Sequence, residues 1–428
     1  MEAIKAVRGT RDILGDESWK WEHVLSVCGH VARDFGFEGV FLPIFEHTEL
    51  FSRGVGDTTD IVEKEMYTFL DRGERSITLR PELTASMVRS YLEHDMHRRP
   101  QPVKLWSWGP MLRYERPQKG RYRQFYQIDF EILGAPSPLA DIETIDTSME
   151  IYRRLGLTNL QVLINSVGCP KCRPVYREVL QKFFASRMND LCETCQNRFD
   201  RNPLRILDCK KPGCKELTEN APSMIDSLCE ECRVHFDGVM KGLSKIGADV
   251  RIDNRLVRGL DYYTKTAYEI LAGELGAQNA VCGGGRYDTL AEAIGGPHVP
   301  GVGFASGIER IVLTMEGQNA YMGDAPHTDI YAIMASQEAE TEVASLVHDL
   351  RAAGLPADMD LMNRSLKAQM KTAAAIGAKF VCILGEEELA SGQVGIKNMA
   401  TGEQAPVPRV DAVRTLAKSL AYKGADER

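Results

Sequence analysis

Polar side chains alternate along one stretch of the chain in a way that could build a reaction site. Residues two apart share a face of a strand, so the alternation predicts a polar face formed by Gln127, Asp129 and Glu131. In the preceding stretch, Arg113 and Glu115 share a face by the same rule. Such a face either lines a polar site or is the solvated face of an antiparallel sheet, and alternation alone leaves both interpretations open.

Positive charge is concentrated in the loop that would join these two strands. Arg116, Lys119, Arg121 and Arg123 lie close together, with Tyr122 among them. Planar guanidinium groups suit phosphates or the end of a nucleic acid better than ordinary solvation. Because exposed arginines are common, the loop indicates an anion site without specifying its ligand.

Most of the cysteines stand in four close pairs. The pairs are Cys169/Cys172, Cys192/Cys195, Cys209/Cys214 and Cys229/Cys232. Such spacings let two thiolates reach one ion, and two pairs complete a tetrahedral zinc site. The four pairs could therefore hold structural Zn²⁺, while reduced, partly buried thiols are the alternative. The spacing leaves both open, and neither gives the thiols a catalytic role.

Composition excludes several classes of protein. A length of 428 residues predicts roughly two to four domains, and the 43% hydrophobic and 26% charged fractions exclude global disorder. No apolar run reaches the ~18 residues of a transmembrane helix, and the N-terminus lacks the apolar core of a signal peptide. We therefore expect a cytoplasmic protein with no membrane partner. The net charge of −8 argues against nonspecific coating of nucleic acid but permits a locally basic RNA site.

Hydrophobic spacing predicts the elements that must position the polar residues. Amphipathic helices are predicted at residues 16–36 and 137–156, the second beginning with a capping serine followed by proline. Strand-like stretches lie between these helices, at residues 76–80, 103–115 and 125–133.

Two changes of pattern divide the chain. Residues 169–248 carry the cysteine pairs and helical stretches between strand-rich flanks, as an insertion into one domain would. Residues 317–328 are polar with glycine and proline, which is typical of a linker. The strand–helix–strand alternation that follows predicts a small α/β domain with partly parallel strands.

Several segments resemble motifs of a known enzyme class. The polar strands and their basic loop, residues 109–131, resemble motif 2 of the class II aminoacyl-tRNA synthetases. Residues 301–311 resemble motif 3, which presents an arginine, here Arg310, and Pro43 stands where motif 1 has its proline. Four further segments are similar to histidyl-tRNA synthetases: RGTRD at residues 8–12, LRPELT at 79–84, LVRGLDYY at 256–263 and GGGRYD at 283–288.

This resemblance implies an α+β fold and a domain order. Residues 1–168 and 249–316 would form the two parts of a catalytic domain, an antiparallel sheet with flanking helices, interrupted by the helical insertion at residues 169–248. Residues 329–428 would form an anticodon-binding domain after the linker at residues 317–328. A homodimer is also implied, because motif 1 builds the dimer interface in this class.

The resemblance further implies a ligase that attaches L-histidine to tRNA(His) through a histidyl-adenylate, with ATP and Mg²⁺. In the first step a carboxylate attacks the α-phosphate, so catalysis depends on fixed cations and positioning. By motif position the catalytic residues would be Arg113 and Arg258. The ATP-binding residues would be Arg113, Glu115, Arg121 and Arg310, and the acceptor end of the tRNA would meet Arg116 and Gln118.

Recognition of histidine needs acceptors for its ammonium group and partners for both ring nitrogens. By motif position Glu82, Thr84 and Gln127 would bind the α-amino end. The full histidine-binding set would be Glu82, Thr84, Gln127, Glu131, Arg258, Tyr262, Tyr263 and Tyr287. Glu82 has an alternative interpretation as a carboxylate in the first turn of a helix, because a proline precedes it.

Two other functions fit the same motifs less well. A non-catalytic, histidyl-synthetase-like regulatory subunit of histidine biosynthesis would lose catalytic residues and usually the C-terminal domain, whereas this chain keeps Arg113, Arg258, Arg310 and a further hundred or so residues. A class II synthetase for another amino acid, such as proline or threonine, would not be expected to carry the histidyl-type segments at residues 256–263 and 283–288.

Overall fold

The computed structural model describes residues 3–56, 59–117, 121–272 and 280–420. These residues form two compact units, which divide between Gly323 and Asp324. The first unit holds a sheet that is antiparallel except at its two edges, and the second has a sheet of its own, so the predicted α+β fold is confirmed. Within the described residues, every helix is too short or too polar to cross a membrane.

The first unit alternates helices and strands along the chain. Its helices are α1 (Asp16–Asp34), α2 (Thr48–Val55), α3 (Thr84–Glu93), α4 (Pro138–Arg154), α5 (Cys172–Ala185), α6 (Glu193–Arg201), α7 (Pro212–Thr218), α8 (Glu230–Lys245), α9 (Leu290–Ala293) and α10 (Ile308–Gly317). Its strands are β1 (Glu38–Gly39), β2 (Phe45–His47), β3 (Tyr67–Leu70), β4 (Ser76–Leu79), β5 (Val103–Leu112), β6 (Gln124–Leu133), β7 (Leu160–Gly168), β8 (Val250–Ile252), β9 (Thr264–Ala272), β10 (Ala280–Arg286) and β11 (Gly301–Gly307).

The central sheet places β6 between two long partners. Its strand order is β1-β5-β6-β11-β10-β9-β7-β8, with parallel pairs only at the edges, β1 with β5 and β7 with β8. On β6, Glu131 lies opposite Leu105 of β5 and Gly303 of β11. Hydrogen bonds on both sides therefore fix the backbone that carries the polar face. A smaller antiparallel sheet has the order β2-β4-β3.

The two predicted helices of this unit end where glycine stops them. Both α1 and α4 are followed by a glycine with positive φ, Gly36 at 73° and Gly156 at 75°, a conformation that glycine adopts without a steric cost. At the start of α4, the Oγ of Ser137 accepts a hydrogen bond from the backbone N–H of Leu139 at 3.2 Å. The helices are two and three residues shorter than predicted, because the glycines and the capping Ser137 lie outside them.

Each face of the central sheet has its own core. The face that carries Phe130 packs in one cluster with apolar residues of α1, α4 and α10. The opposite face, which carries Leu105 and therefore also Glu131, packs with apolar residues of α2, α3 and α9. The polar residues of β6 thus lie within a covered layer.

The cysteine-bearing segment leaves the sheet at the end of β7 and returns to it at β8. It contains helices α5 to α8 with short 3₁₀ turns between them. Apolar side chains such as Leu180 on α5 and Leu243 on α8 are buried in the same core as the sheet. This segment is therefore packed against the central sheet by its own apolar residues.

The second unit is a small α/β structure. Its strands are β12 (Ile330–Met334), β13 (Ala357–Met359), β14 (Phe380–Leu384), β15 (Gln393–Asn398) and β16 (Gln404–Pro408). Its helices are α11 (Glu340–Ala352), α12 (Leu366–Ala375), α13 (Glu386–Ser391) and α14 (Ala412–Ser419). The order is β13-β12-β14-β15-β16, with β12 parallel to both neighbours and the other pairs antiparallel, which confirms the predicted mixture.

Candidate active site

The polar face of β6 is buried. Asp129 and Glu131 are each 1% exposed, and Gln127 is half-buried. The solvated-face interpretation of this strand is therefore wrong. Carboxylates buried in a covered layer require either partners or a ligand, because desolvation of an unpaired charge is costly.

Glu131 is the best-partnered carboxylate of this face. Its Oε1 accepts a hydrogen bond from Thr84 Oγ1 at 2.7 Å, and its Oε2 accepts one from Tyr287 Oη at 2.5 Å. Burial raises the pKa of Glu131, these two hydroxyls lower it, and the balance leaves it at about 8. A Cβ on Gly303 would fall 1.5 Å from Glu131 Oε2, so only glycine leaves room for the carboxylate here.

Glu82 is buried and lies two residues before the first residue of α3. Its Oε1 accepts the backbone N–H of Ala85 at 3.0 Å, so the carboxylate interacts with the first turn of the helix from just outside it. Its Oε2 has no hydrogen-bond partner among the described residues, and the same holds for Gln127 Oε1 and both carboxylate oxygens of Asp129. Burial is the main cause that raises the pKa of Glu82 and, more strongly, that of Asp129.

Unpartnered buried acceptors of this kind usually mark a ligand site. Each would cost on the order of 1–3 kcal/mol if it stayed unsatisfied. Four such oxygens lie on Glu82, Gln127 and Asp129. Together they form an acceptor set suited to a ligand with several N–H donors, such as an ammonium group.

Three tyrosines lie next to Glu131. The ring of Tyr262 is 4.8 Å from that of Tyr263 and 5.7 Å from that of Tyr287, measured between centroids. All three side chains are buried. They supply flat walls and hydroxyl groups beside the carboxylate, an environment suited to a small polar ring.

Arg258 approaches these tyrosines from the segment between β8 and β9. Its guanidinium carbon lies 5.8 Å from the centroid of the Tyr263 ring, and its Nη1 donates to Glu269 Oε1 at 2.5 Å. A Cβ on Gly283 would fall 2.0 Å from Arg258 Nη2. Gly283 of β10 therefore lets the guanidinium lie directly against the sheet.

Two further cations lie in this region, Arg310 near Arg258 and Arg121 near Arg310. Arg310 Nη1 donates to the Ala280 carbonyl oxygen at 3.0 Å, and Arg121 forms an ion pair with Glu115 at 3.0 Å. Burial lowers the pKa of Arg310, and the neighbouring cations Arg121 and Arg258 lower it further. Because these cations repel one another, a polyanion placed among them would be stabilised.

Arg113 lies on the side of Glu82. Its Nε donates to the carbonyl oxygen of Pro81 at 2.9 Å, and its guanidinium carbon lies 5.1 Å from the centroid of the Phe125 ring. Its positive charge lowers the pKa values of Glu82 and Asp129, against the effect of burial. The structure therefore places Arg113 at the acceptor set.

The loop after Arg113 is only partly described. Arg116 is exposed to solvent, and Gln118 lies outside the described residues. The exposed position of Arg116 leaves its guanidinium accessible to a large ligand.

Three residues without a role predicted from the sequence contribute to this region. Glu269 pairs with Arg258, and Arg205 from the insertion donates to the Arg258 carbonyl oxygen at 3.0 Å. Arg80 Nη1 donates to the carbonyl oxygens of Leu42 and Pro43 at 2.9 and 3.1 Å. Arg80 stands inside a segment that the sequence analysis singled out, whereas no sequence signal marked Glu269 or Arg205.

The cysteine pairs meet as two separate groups. The first thiol cluster is Cys169, Cys172, Cys229 and Cys232; the second thiol cluster is Cys192, Cys195, Cys209 and Cys214. Within each cluster the Sγ atoms all lie within 4.8 Å of one another. Along the chain, the whole second thiol cluster lies between the two pairs that form the first thiol cluster.

The two thiol clusters have matching backbone contacts. The N–H of Cys229 donates to Cys172 Sγ at 3.1 Å, and the N–H of Cys192 donates to Cys214 Sγ at 3.2 Å. Both donors are N-cap residues, Cys229 of α8 and Cys192 of α6. Burial raises the pKa of Cys192, but the N–H of Cys195 and nearby thiols lower it by more, to about 7. Helix N-termini and N–H donors both favour the thiolate form that binds metals.

Comparison with known proteins agrees with this geometry. A family model described as histidyl-tRNA synthetase matches residues 9–311, and one described as an anticodon binding domain matches residues 329–419. The histidine–tRNA ligase of Desulforamulus reducens is 52% identical over 400 residues, 94% of this chain and 96% of that protein. That of Acetivibrio thermocellus is 50% identical over 400 residues, 94% of this chain and 96% of that protein. The crystal structure of apo S. aureus histidyl-tRNA synthetase superposes with a TM-score of 0.81 at 37% identity, covering 96% of this chain and 99% of that one.

Proposed function

The chain belongs to the histidyl-tRNA synthetase family, and from that premise we propose how its residues carry out the reaction. The protein is a ligase that attaches histidine to tRNA at the expense of ATP. Histidine and MgATP first give histidyl-adenylate and pyrophosphate, and the histidyl group then moves to the tRNA. Because the family's substrates serve translation, we place this activity in the cytoplasm.

One observation carries the residue assignment: unpartnered buried acceptors lie beside a partnered buried carboxylate. Glu82 Oε2 and Gln127 Oε1 would accept from the α-ammonium group, next to the hydroxyl of Thr84. Glu131 would accept an N–H of the imidazole ring. A site built from hydrogen bonds rejects amino acids that cannot make them by large factors.

The tyrosines would complete the ring site. Tyr287 donates to Glu131 and so orients its carboxylate, while Tyr262 and Tyr263 would line the walls of the ring pocket. In this arrangement the imidazole is recognised by its edge and by its flat face together.

Arg113 and Arg258 would flank the reacting groups. The histidine carboxylate attacks the α-phosphate, and negative charge spreads over the phosphate oxygens in the transition state. Arg113 lies at the acceptor set and Arg258 at the tyrosines, so the two cations would hold the carboxylate and phosphate from opposite sides. Their contribution is positioning and charge stabilisation.

Arg121 and Arg310 would hold the outer phosphates of ATP. Burial and then repulsion from neighbouring cations lower the pKa of Arg310, and the repulsion would be relieved when the triphosphate enters. Glu115, which pairs with Arg121, would keep that guanidinium oriented and help to bind ATP. Arg116 and Gln118 would meet the acceptor end of tRNA(His).

The domain assignments that go with this function are supported by the same sequence patterns. We assign the catalytic domain to residues 1–168 and 249–316, the helical insertion to residues 169–248, the linker to residues 317–328 and the anticodon-binding domain to residues 329–428.

The rival functions fit these findings less well. A regulatory subunit is disfavoured because this chain is about half identical to bacterial histidine–tRNA ligases over nearly their whole length. A synthetase for proline or threonine is disfavoured because the matching family model is that of histidyl-tRNA synthetase. ATP–pyrophosphate exchange across a panel of amino acids tests all three. We expect exchange with histidine alone; exchange with another amino acid, or none, would overturn the proposal.

We propose structural zinc in both thiol clusters. Zinc–sulfur distances of about 2.3 Å in a tetrahedron set sulfur–sulfur separations of about 3.8 Å. The Sγ separations of 3.6 Å for Cys169/Cys172 and 3.9 Å for Cys192/Cys209 fit this geometry. When bound, the ion would tie the helices of the insertion together.

Metal analysis of unstripped protein tests the zinc proposal. We expect two zinc ions per chain, one in Cys209→Ser and still two in the control Cys382→Ala, whose thiol is buried in the second unit. Metal-free wild-type protein, or disulfides within the pairs, would contradict it.

We also propose a homodimer through the motif 1 region. Phe41, Ile44 and Phe45 are 88, 40 and 55% exposed, an unusual run of large apolar side chains on a surface. A second copy would bury them. We expect Phe41→Asp to shift sedimentation from dimer to monomer, while Leu361→Asp, an exposed apolar residue of the second unit, leaves the dimer intact. A monomeric wild type would contradict the proposal.

A further inference from the structure

The segment that carries Arg258 has no regular hydrogen-bonded structure. It runs from the end of β8 to the start of β9, and all of its residues, 253–263, are described and lie outside helices and strands. A strand ladder therefore does not fix the backbone of Arg258. Its position depends on the individual groups that contact the segment.

Side chains from the cysteine-bearing insertion supply such contacts. Arg205 Nη1 donates to the carbonyl oxygen of Arg258 at 3.0 Å. Arg173 Nη1 donates to the carbonyl oxygen of Asp261 at 3.3 Å, and Asn202 Nδ2 donates to the Asp261 carboxylate at 3.2 Å. Among these three contacts, the one from Arg205 acts on Arg258 itself.

Arg205 is held rigidly enough to act as a support. Its side chain is 11% exposed, and its Nη2 lies 3.6 Å from Asp60 Oδ2. Arg198 donates to the same Asp60 oxygen at 3.0 Å and to the Arg205 carbonyl oxygen at 3.4 Å. Arg205 therefore bridges Asp60 and the segment of Arg258, and a second arginine contacts its backbone.

The second thiol cluster closes the part of the chain that carries Arg205. Arg205 lies in the 3₁₀ turn Pro203–Ile206, between Cys195 and Cys209. The side chain of Ile206 is fully buried. Closing this cluster around one ion would fix the chain on both sides of the turn, and with it the direction of the Arg205 guanidinium.

We propose that Arg205 is a positioning residue for Arg258, and that the second thiol cluster sets its position. The inference rests on the proposed role of Arg258 in adenylate formation. Without Arg205, the Arg258 carbonyl oxygen loses its donor from the insertion, and the segment can shift. A displacement of about 1 Å at a reacting group costs on the order of 10²-fold in rate.

The test is steady-state ATP–pyrophosphate exchange with Arg205→Ala. We expect kcat to fall about 10- to 100-fold, by the same positional argument, with the KM for histidine within about twofold of wild type. The matched control is Arg201→Ala, also on the insertion, whose side chain is 63% exposed and pairs with Glu63 at 3.4 Å. This control should keep the wild-type kcat.

Chemical rescue separates positioning from a general loss of structure. A cavity of about 110 Å³ is lined by both Arg205 and Arg258, so guanidinium ion has a route to the vacated position in Arg205→Ala. We expect guanidinium chloride, at concentrations that leave wild-type activity unchanged, to restore part of kcat. Arg205→Ala should also add little to the loss caused by Arg258→Ala, because the two residues act as one unit.

The outcomes are separable. Unchanged kcat in Arg205→Ala, or a loss that guanidinium cannot restore and that adds fully to Arg258→Ala, would overturn the positioning role. Cys209→Ser should lose one zinc and match the kcat of Arg205→Ala, whereas full kcat after that loss would overturn the link to the second thiol cluster. Absence of histidine-dependent exchange in the wild type would instead refute the proposed function.

Discussion

The two halves of the active site are held by different means. The amino-acid half is built on β6, whose backbone is paired on both sides, and its carboxylate Glu131 receives two hydroxyl donors. The other half, at Arg258, lies on a segment outside the sheet, where the insertion supplies the side-chain donors to the Arg258 and Asp261 carbonyl oxygens. The carboxylate that recognises the ring thus lies on a rigid strand, while Arg258 lies, together with Tyr262 and Tyr263, on a segment held by side chains distant in sequence.

Among the variants considered for the two halves of the site, removal of the Arg258 side chain should cause the largest loss of activity. We expect Arg258→Ala to lower kcat for adenylate formation by about 10³-fold, because one preorganised group that stabilises developing charge contributes on the order of 10²–10³. The control is Arg255→Ala on the same segment, whose side chain is 35% exposed. Pyrophosphate exchange and thermal melting together check this, and near-normal turnover would remove Arg258 from the catalytic residues.

A smaller loss, of stability, is expected when a side-chain atom is added to the closely packed backbone beside Glu131. In Gly303→Ala the new Cβ would lie 1.5 Å from Glu131 Oε2 and 2.4 Å from the Phe130 carbonyl oxygen. We expect about 1–3 kcal/mol of destabilisation, since backbone on a paired strand cannot easily yield. Gly213→Ala is the matched control, because its Cβ would meet nothing within 4 Å. Equal thermal melting of the two variants would contradict the close packing described for β11 and Glu131.

The smallest expected effect is the pH dependence of histidine affinity. Burial raises the pKa of Glu131 to about 8 in the free protein, whereas acceptance of a ring N–H favours the ionised form. Histidine binding must then release a proton below that pH. We expect the Kd for histidine to fall roughly 10- to 20-fold between pH 6.5 and 8, because release of one proton limits the change to about tenfold per pH unit. Glu131→Gln should flatten this part of the profile, and an unchanged slope in that variant would assign the proton elsewhere.

The sequence predicted the rigid half better than the flexible one, for a physical reason. Alternation along a strand is local, so Gln127 and Glu131 could be placed on one face from the sequence alone. The contact between Arg205 and Arg258 joins residues far apart in sequence, and it depends on how the insertion packs against the sheet.

The thiol clusters show the same limit. Four cysteine pairs were visible in the sequence, but their spacing could not say which pairs share a site. The pairing is decided by tertiary packing, which brings Cys172 of α5 next to Cys229, the N-cap of α8. The role of Glu269 was likewise invisible, because it follows from the opposition of β9 and β10.

Calorimetric titration of L-histidine into wild type, Glu131→Gln and Arg205→Ala tests this division most directly. We expect Glu131→Gln to raise Kd about 10- to 100-fold, the equivalent of one charge-assisted hydrogen bond. We expect Arg205→Ala to bind histidine within about twofold of wild type while turning over slowly. Equal losses of affinity in both variants, or full affinity in Glu131→Gln, would contradict the separation of recognition from catalysis.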